Sequence, residues 1–455
     1  MAATDTVRVA IIGGGFSGTA VAWQLLRLAA PEHALELTLI ERQPAALGRG
    51  VAYATRDPLH LLNTPAGEMS LDPQDPQDLL RWWAAAGGEA DARAFLPRGT
   101  YGDYLVSRLN EAVEASPARF RVVPGEVVGL LPEPGGFRLR LADGACLNVE
   151  QVVLALGLRP PGSGAWGLTW PEQAPWFEPD PWAPSATRPL PAGEEALLLG
   201  TGLTAIDVAL RLLGRSEAGR VTLLSRRGQV PPAWQVVGVG GGLDVAALPT
   251  RMSQLCRQLR AQVAWEAQRG ASWQAVLDSW RPDLNALWQR LPLVERRRFL
   301  RHAKGWWEQH RQRLAPPVAA AFERARAEGR LVVQPARVQR LRPSGEAVTV
   351  EWRSPHGLES RQVSRVVVCT GPDGNHRRNR HPLVLDLLGT GLARLDPLHL
   401  GLDVDEVGCL RDEDGLPSRG LWALGPLRKG GAWESTAVPE LARQAAAIAH
   451  ALLPG

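Results

Sequence analysis

A glycine-rich turn near the start of the sequence has the spacing of a nucleotide-binding turn. Gly13, Gly15 and Gly18 follow an apolar stretch typical of a strand and precede one typical of a helix. This spacing permits a tight turn, lets the backbone approach a pyrophosphate and lets helix and strand pack closely. The N–H groups at the start of the helix stabilise the phosphate charge. Glu41 ends the next predicted strand and could accept hydrogen bonds from a ribose, so we favour a dinucleotide site over a chance glycine triplet.

A second turn repeats this pattern in the middle of the chain. Gly200, Gly202 and Ala205 also lie between a predicted strand and a predicted helix, and alanine is an accepted third residue. The strand that follows ends in Arg226 and Arg227 instead of an acid. Two arginines suit the 2′-phosphate of NADP, although a solvated surface pair is the alternative. Two such turns in one chain predict FAD at the first and NADPH at the second, which brings a nicotinamide to a flavin for hydride transfer.

The apolar segments predict an α/β fold with two Rossmann-type dinucleotide-binding domains and a helical insertion. Each glycine-rich turn belongs to a predicted β-α-β unit, which favours a parallel sheet. The predicted strands are 7–12, 35–40, 151–156, 196–199, 221–224, 331–333, 363–368 and 421–424, with a meander at 120–147. The predicted helices are 17–28, 78–86, 102–115, 205–213 and 440–453.

The predicted domain order leaves the first unit and later returns to it. We expect residues 1–160 to form the first part of the FAD-binding domain and residues 161–193, rich in Pro, Trp and Gly, to form a connector. Residues 194–335 are the predicted NADPH-binding domain, with the helical insertion at about 250–330. Residues 336–455 are predicted to return to the FAD-binding domain.

Composition limits the classes of function. A chain of 455 residues suits two or three domains, and 45% hydrophobic with 22% charged residues is typical of a soluble globular protein. The net charge is +4 without a basic run, which argues against nucleic acid. No apolar segment is long enough to predict a membrane span. The four cysteines show no C-x-x-C spacing, so we expect a reduced, cytoplasmic protein without a redox dithiol or metal site.

Several further motifs carry a resemblance to a known family. They are Gly48-x-Gly50-Val51-Ala52-Tyr53, His60-Leu61-Leu62-Asn63-Thr64-Pro65-Ala66-Gly67, Gly200-Thr201-Gly202-Leu203-Thr204-Ala205-Ile206-Asp207, Cys369-Thr370-Gly371-Pro372, Gly425-Pro426 and Trp433-Glu434-Ser435-Thr436-Ala437-Val438-Pro439-Glu440. With the first turn, they make nearly the whole chain resemble the bacterial FAD/NAD(P)-binding flavoproteins related to the N-hydroxylating and flavin-containing (class B) monooxygenases. The Leu-Asn-Thr-Pro loop and the Trp-Glu-Ser-Thr-Ala-Val-Pro-Glu segment are the more specific motifs.

The resemblance implies where the cofactors lie. The first and last thirds of the chain would hold FAD, and NADPH would dock on the middle. The loop at residues 63–67 would lie near the isoalloxazine ring, and the helix that begins near Pro439 would point its N-terminus at the pyrimidine edge of the flavin. The predicted cofactor-binding residues are Gly13, Gly15, Phe16, Ser17, Gly18, Glu41, Arg42, Gly50, Asn63, Thr64, Gly157, Gly200, Gly202, Thr204, Arg226, Arg227, Gly371, Gly425 and Ala437.

The sequence departs from some related enzymes. It lacks the F-x-G-x-x-x-H signature of Baeyer–Villiger enzymes and the dithiol of disulfide reductases. Gly425-Pro426 stands where reductases commonly have Gly-Asp, so an acidic contact with the ribityl chain is not expected there.

The leading hypothesis is a monooxygenase that transfers oxygen to a small soft nucleophile such as an amine. His60 and Asn63 are the candidate catalytic residues, although a structural hydrogen bond would also explain His60 and a turn would explain Asn63. Trp306, Trp307 and His310 could line a pocket or form an apolar packing face. The alternatives are an NADPH-dependent flavin oxidoreductase without oxygen insertion and a non-catalytic nucleotide-binding protein.

Overall fold

The structure, a computed structural model, describes residues 6–31, 34–160, 171, 174–214, 219–242 and 244–453. The strands are β1 (Val7–Ile12), β2 (Leu35–Glu41), β3 (Arg119–Pro124), β4 (Val127–Glu133), β5 (Gly136–Leu141), β6 (Cys146–Val149), β7 (Gln151–Leu154), β8 (Phe177–Glu178), β9 (Glu195–Leu199), β10 (Arg220–Ser225), β11 (Leu331–Pro335), β12 (Arg337–Ser344), β13 (Ala347–Ser354), β14 (Gly357–Val363), β15 (Arg365–Val368), β16 (Cys409–Arg411) and β17 (Pro417–Ala423). The helices are α1 (Phe16–Leu28), α2 (Gly50–Tyr53), α3 (Asp78–Ala85), α4 (Arg98–Ala115), α5 (Leu203–Gly214), α6 (Met252–Ala267), α7 (Trp273–Trp280), α8 (Leu284–Arg290), α9 (Leu293–His302), α10 (Lys304–Arg311), α11 (Pro316–Ala327), α12 (Pro382–Gly389) and α13 (Val438–Leu452).

The first sheet has the order β16-β17-β7-β1-β2-β3 and carries the first glycine-rich turn. β1 pairs in parallel with β2 and β7. Because side chains alternate between the two faces of a strand, β1 contributes to two cores. Val9 and Ile11 pack with α1, α4 and α13, whereas Ala10 and Ile12 pack with β4–β6 and α12. Burial on both faces explains the continuous apolar run at the start of the chain.

The second sheet repeats this architecture, with the order β11-β10-β9-β15-β8. β9 pairs in parallel with β10 and β15. Ala196 and Leu198 pack with α5 and α11 on one face of the sheet. Leu197 and Leu199 pack on the other face, against the antiparallel sheet β12-β13-β14. The predicted α/β class with two Rossmann-type units is confirmed.

Strand pairing corrects part of the predicted meander. Residues 119–124, which the sequence assigned to a meander, form β3 and pair in parallel with β2. Only β4–β6 form the antiparallel meander. The break lies at Gly125, whose φ of +157° ends β3 and lets the chain leave the parallel sheet. Apolar alternation is similar in both kinds of strand, so the sequence did not reveal this break.

The chain returns to the first sheet later than predicted. We expected this return at residue 336, but β12–β14 cover the second sheet and β15 pairs with β9 inside it. β17 then pairs with β7 in the first sheet. In the predicted connector, β8 pairs with β15, while residues 161–170, 172 and 173 lie outside the described part of the chain. β15 is as apolar as β7, so composition alone could not assign it to a sheet.

The segment predicted as a helical insertion contains two kinds of helix. α6–α9 contribute to a core of their own, which Trp433 of the C-terminal segment joins. α11 instead packs beside α5 under the second sheet, through Val318 and Phe322. It is the crossover helix between the parallel strands β10 and β11. None of the described helices is long and apolar enough to cross a bilayer.

Two buried tyrosines on α4, Tyr101 and Tyr104, differ in how they contact the segment that leads to α3. The hydroxyl of Tyr104 donates to Asp78 Oδ2 at 2.6 Å and accepts from the N–H of Leu71 at 2.9 Å. Among the described residues, the hydroxyl of Tyr101 has no hydrogen-bond partner. Both side chains are fully buried. This segment is therefore held by one of these two hydroxyls.

We predict that Tyr104→Phe lowers the free energy of unfolding by about 1–3 kcal/mol, because it leaves the buried N–H of Leu71 without its partner and removes one hydrogen bond from Asp78, which Arg108 still contacts at 2.9 Å. Tyr101→Phe is the matched control, since it removes a hydroxyl that has no partner and keeps the ring. It should leave stability unchanged or raise it slightly. Urea unfolding followed by circular dichroism measures both variants, and equal losses would contradict the assignment.

Candidate functional site

The first glycine-rich turn is built by close contacts between backbones. Gly13 has a φ of +105°, and a Cβ there would lie 2.4 Å from the carbonyl oxygen of Ala155. A Cβ at Gly18 would lie 1.8 Å from the carbonyl oxygen of Gly13. These two glycines are therefore required for the path of the chain from β1 into α1 and for the contact of this path with β7.

Gly15 has a different role, because its missing side chain faces space. It caps α1 with a φ of −73°, which other residues adopt readily. A Cβ at Gly15 would meet only the Cα of Gly50, at 3.5 Å. The predicted site residues Gly15 and Gly50 thus lie close together, and neither covers the start of α1 with a side chain; we call this uncovered surface the first cradle. The start of α1 at this cradle is a suitable position for a phosphate.

The carboxylate of Glu41 reinforces the turn. Its Oε2 accepts from the N–H of Gly14 at 2.7 Å, and its Oε1 accepts from the N–H of Gln43 at 2.8 Å. A carboxylate has about four acceptor positions, so these two bonds leave capacity for a ribose hydroxyl. Arg42 is exposed beside it.

The C-terminal segment meets the same turn. A Cβ at Gly425 would lie 3.0 Å from Ser17 Oγ and 3.8 Å from the carbonyl oxygen of Ser435. The Ser435 hydroxyl is fully buried and has no hydrogen-bond partner within the described residues. Such a group fits a ligand that the chain itself does not supply. Sequence reasoning quoted Ser435 within a motif but did not select it; a serine before the start of α13 was the available signal.

Other predicted residues of the first site lie around this cradle. Phe16 is buried, with its ring centroid 6.4 Å from that of Tyr53. Ala437 is the residue before the first turn of α13. Gly157 follows β7, has a φ of +70° and has open space where a Cβ would stand. The structure therefore gathers the predicted residues from the first and last parts of the chain at one edge of the first sheet.

The second glycine-rich turn has the same construction. Gly200 has a φ of +131°, and a Cβ there would lie 2.2 Å from the carbonyl oxygen of Cys369. Gly202 has no atom within 4 Å of the position of a Cβ, which makes it the counterpart of Gly15. Thr204 lies in the first turn of α5, and Gly371, with a φ of +78°, also has open space around it.

Arg226 and Arg227 lie exposed just after β10. Among the described residues, neither arginine forms a salt bridge with a carboxylate. The strand thus ends in two available cations. Thr201 orders the turn between the strand and these arginines, because its hydroxyl donates to the carbonyl of Gln229 and lies 3.0 Å from Ser225 Oγ.

The loop that contains Asn63 faces the helical insertion. Asn63 Nδ2 donates to Gln312 Oε1 at 3.2 Å, just after α10 ends. Thr64 is half-buried beside it. Asn63 is far from both glycine-rich turns in the sequence. Its side chain contacts the insertion through Gln312.

His60 is held in the interior. Its side chain is 2% exposed, its Nδ1 lies 2.9 Å from Thr55 Oγ1, and its Nε2 has no partner within the described part of the chain. Burial lowers the pKa of His60 to about 4, and the nearby Asp57 opposes this shift. The imidazole is therefore neutral at neutral pH.

Arg98 connects the loop to the second glycine-rich helix. Its N–H donates to the carbonyl of His60 at 2.8 Å, and its Nε donates to the carbonyl of Leu61 at 3.1 Å. One of its terminal nitrogens lies 3.4 Å from Asp207 Oδ2 on α5. Burial raises the pKa of Asp207 to about 6, against the lowering effect of Arg98. Neither Arg98 nor this connection was predicted from the sequence.

Charged side chains of the insertion meet the C-terminal segment. Arg311 pairs with Glu434 at 3.3 Å, and Asn285 bonds both the N–H and the carbonyl of Glu434. Arg281 pairs with Glu68 at 2.7 Å and lies 3.5 Å from Glu440 in the first turn of α13. These contacts cover the space between the loop, α10 and the start of α13. Isolated arginines in an Arg-rich helical segment gave no signal for them in the sequence.

Trp306, Trp307 and His310 do not form one pocket wall. Trp307 packs against the core of the insertion, and Trp306 is 49% exposed. His310 Nδ1 lies 2.7 Å from the carbonyl oxygen of Trp306, one turn earlier. Of these three residues, only Trp307 has the packing role that the sequence suggested.

We predict that His60→Asn changes the dependence of stability on pH. Asn keeps a polar group near Thr55 but does not titrate. Because the pKa of His60 is lowered to about 4, its stabilising contribution is complete above pH 6.5 and is lost as the pH falls towards 4. The free energy of unfolding of the wild type should therefore fall more steeply over this interval than that of the variant.

Asp207→Asn is the matched control with the opposite sign. A carboxyl whose pKa is raised to about 6 contributes stability below pH 3.8 and loses it as the pH rises through 6. Denaturant unfolding at several pH values between 4 and 7 measures both slopes, and parallel curves for wild type and His60→Asn would refute the first expectation.

Comparison with known proteins supports the fold. Residues 10–159 match a family model described as FAD-NAD(P)-binding. No functionally curated protein matches the sequence significantly. Similar solved structures include a reduced ornithine hydroxylase from Pseudomonas aeruginosa, with 16% identity, 98% of both chains covered and a TM-score of 0.68. An ornithine N-hydroxylase from Kutzneria sp. 744, described with reduced FAD, NADP+ and L-ornithine, has 15% identity, 98% and 99% coverage and a TM-score of 0.65.

An L-lysine 6-monooxygenase from Pseudomonas syringae is similar to the same extent, with 17% identity, 98% of both chains covered and a TM-score of 0.66. At these identities the structural matches establish a shared fold. The predicted resemblance to N-hydroxylating flavoproteins is thus confirmed at the level of the fold, and the first part of the chain has the sequence features of a FAD/NAD(P)-binding domain.

Proposed function

We propose that the protein is an FAD- and NADPH-dependent monooxygenase that hydroxylates the nitrogen of a small amine. The observation that carries this proposal is the pair of open cradles at Gly15 and Gly202, each at the start of a helix behind a parallel strand. One is followed by an acid, Glu41, and the other by two arginines that form no salt bridge with a carboxylate in the described part of the chain.

The residues at the first cradle fit FAD. Gly15 and Gly50 place no side chain at the start of α1, where a pyrophosphate would bind, and Glu41 has acceptor capacity for a ribose hydroxyl. The buried Ser435 hydroxyl and the start of α13 would contact the flavin end. When bound, FAD supplies the two-electron redox chemistry that links a nicotinamide to dioxygen. The chain's task is to bind and orient this group and to exclude water from it.

The residues at the second cradle fit NADPH. Gly202 leaves room for the pyrophosphate at the start of α5. Arg226 and Arg227 carry the positive charge that a 2′-phosphate requires. Arg98 would then fix the loop of Asn63 relative to this helix, so that the nicotinamide and the flavin meet in a defined orientation.

The amine would bind where the insertion covers the loop and the C-terminal segment. Asn63 and Gln312 offer amide groups there, and Glu434 is an acceptor held in place by Arg311 and Asn285. His60 is too buried to reach a substrate, so we assign it a structural role. Asn63 remains the candidate for contact with the reacting groups. The similar solved enzymes act on ornithine or lysine, which makes these diamino acids the first substrates to test.

Two reactions can be separated by their stoichiometry. Purified protein is mixed with NADPH, labelled dioxygen and each candidate amine. A hydroxylated amine that carries the label supports the monooxygenase. Full recovery of the electrons as hydrogen peroxide or a reduced acceptor with every amine supports an NADPH-dependent flavin oxidoreductase without oxygen insertion. Absence of bound flavin together with absence of NADPH oxidation supports a non-catalytic nucleotide-binding protein.

We predict that Gly15→Ala and Gly202→Ala separate the two cofactors. Neither residue has a positive φ, and neither added methyl group meets a backbone atom closer than 3.5 Å, so both variants should fold. Gly15→Ala should be purified with much less flavin, because the methyl group occupies the place of a phosphate. Gly202→Ala should retain flavin but bind NADPH at least about tenfold more weakly, which corresponds to about 1.4 kcal/mol.

Flavin absorbance and NADPH titration measure these two effects. Each variant is the control for the other, because each carries the same substitution at the same position of a homologous turn. Loss of flavin from both variants, or from neither, would argue against the assignment of the two cradles.

A further inference from the structure

α10 of the insertion lies against the end of β10, where Arg226 and Arg227 are exposed. The guanidinium of Arg227 lies over the ring of Trp306, with its central carbon 5.4 Å from the ring centroid. A Cβ at Gly305 would lie 3.3 Å from one of the terminal nitrogens of Arg227. The side chain of Arg227 is thus bounded by the first turn of α10.

Further contacts run along the same side of α10. Gln309 Nε2 donates to the carbonyl of Val230 at 3.2 Å, and Gln312 accepts from Asn63. The helix therefore extends from the end of β10 to the loop of Asn63. Its eight residues span about 12 Å, which is a large part of the length of an extended dinucleotide. α10 therefore borders the candidate site from the end that contains Arg227 to the end that contains Asn63.

The exposure of Trp306 is not explained by packing. Its side chain is 49% exposed, whereas the neighbouring Trp307 joins the core of the insertion. A guanidinium over an indole face is stabilised by a cation–π contact, and its planar fork remains free to bind an anion at its edge. The one lysine in this turn, Lys304, already lies 3.6 Å from Glu308. Arg227 is therefore the cation whose direction Trp306 sets.

We propose that Trp306 is a specificity-determining positioning residue, which holds Arg227 in the orientation that binds the 2′-phosphate of NADPH. This inference rests on the proposed function, because it requires NADPH to bind at the second glycine-rich turn. Without the indole, Arg227 would have many rotamers and would lose part of its affinity for the phosphate. The consequence is that the insertion, and not the second sheet alone, decides between NADPH and NADH.

The test uses two probes that differ only in the 2′-phosphate: adenosine 2′,5′-bisphosphate and adenosine 5′-monophosphate. Their binding to the purified full chain is measured by isothermal titration calorimetry. Trp306→Ala should bind the bisphosphate about tenfold more weakly and the monophosphate within about twofold of the wild type. Trp306→Phe, which keeps an aromatic face, should restore most of the difference between the probes.

A double-mutant cycle with Arg227→Ala tests whether Trp306 acts through Arg227. The double variant should lose no more affinity for the bisphosphate than Arg227→Ala alone, because the indole has no arginine left to orient. Trp265→Ala is the matched control: Trp265 is 51% exposed and carries Arg269 over its ring at 3.4 Å, where α6 ends and the next turn begins. This control should bind both probes as the wild type does.

Three outcomes would overturn the proposal: unchanged binding in Trp306→Ala, an equal loss for both probes, or additive losses in the cycle. If Trp306→Ala does not fold, Arg227→Lys replaces it, because lysine keeps the charge but not the planar stack, and it should show the same selective loss. The proposed function fails separately if the double variant Arg226→Ala/Arg227→Ala binds the bisphosphate as tightly as the wild type.

Discussion

The approach of one backbone to another at two glycine-rich turns is the constraint on which the rest of this structure depends. The carbonyl of Gly13 occupies the place of a side chain at Gly18, and the carbonyl of Cys369 occupies the place of one at Gly200. These contacts place the start of each helix immediately after its strand. The first N–H groups of α1 and α5 therefore lie at the carboxyl edges of the two sheets. The parallel strands and the layers packed on both faces of each sheet support that arrangement.

The two units are joined by more than their connecting segments. The insertion contacts the C-terminal segment through Asn285, Arg311 and the indole N–H of Trp288, which donates to the carbonyl of Gly430. It contacts the second unit through α10. Several of these charged groups are mostly buried, so removal of one partner would leave the other uncompensated. The insertion thus contacts both the part of the candidate site beside α13 and the part beside the end of β10.

Local patterns in the sequence were sufficient for the elements that carry the glycine-rich turns. The strand and helix around Gly13 and those around Gly200 were predicted almost to the residue, because strand, turn and helix signals coincide there. Long-range pairing was not predictable in the same way. β3 and β15 have ordinary apolar sequences, and only the completed sheets show which neighbours they choose. The same limit applies to the site: glycines and acids at strand ends are visible in the sequence, whereas Arg98 and Gln312 act through residues far away in the chain.

Arg98 has a consequence for how movement passes through the molecule. Its guanidinium joins the carbonyl of Leu61 to the carboxylate of Asp207, so a shift of α5 pulls on the backbone two residues before Asn63. The strength of this mechanical link depends on the charge of Asp207. Because the pKa of Asp207 is raised to about 6, mild acidification protonates its carboxylate and weakens its contact with Arg98. The loop and α5 are therefore joined by two charged pairs, Arg98–Asp207 and Arg211–Asp57, and mild acidification weakens the first of them.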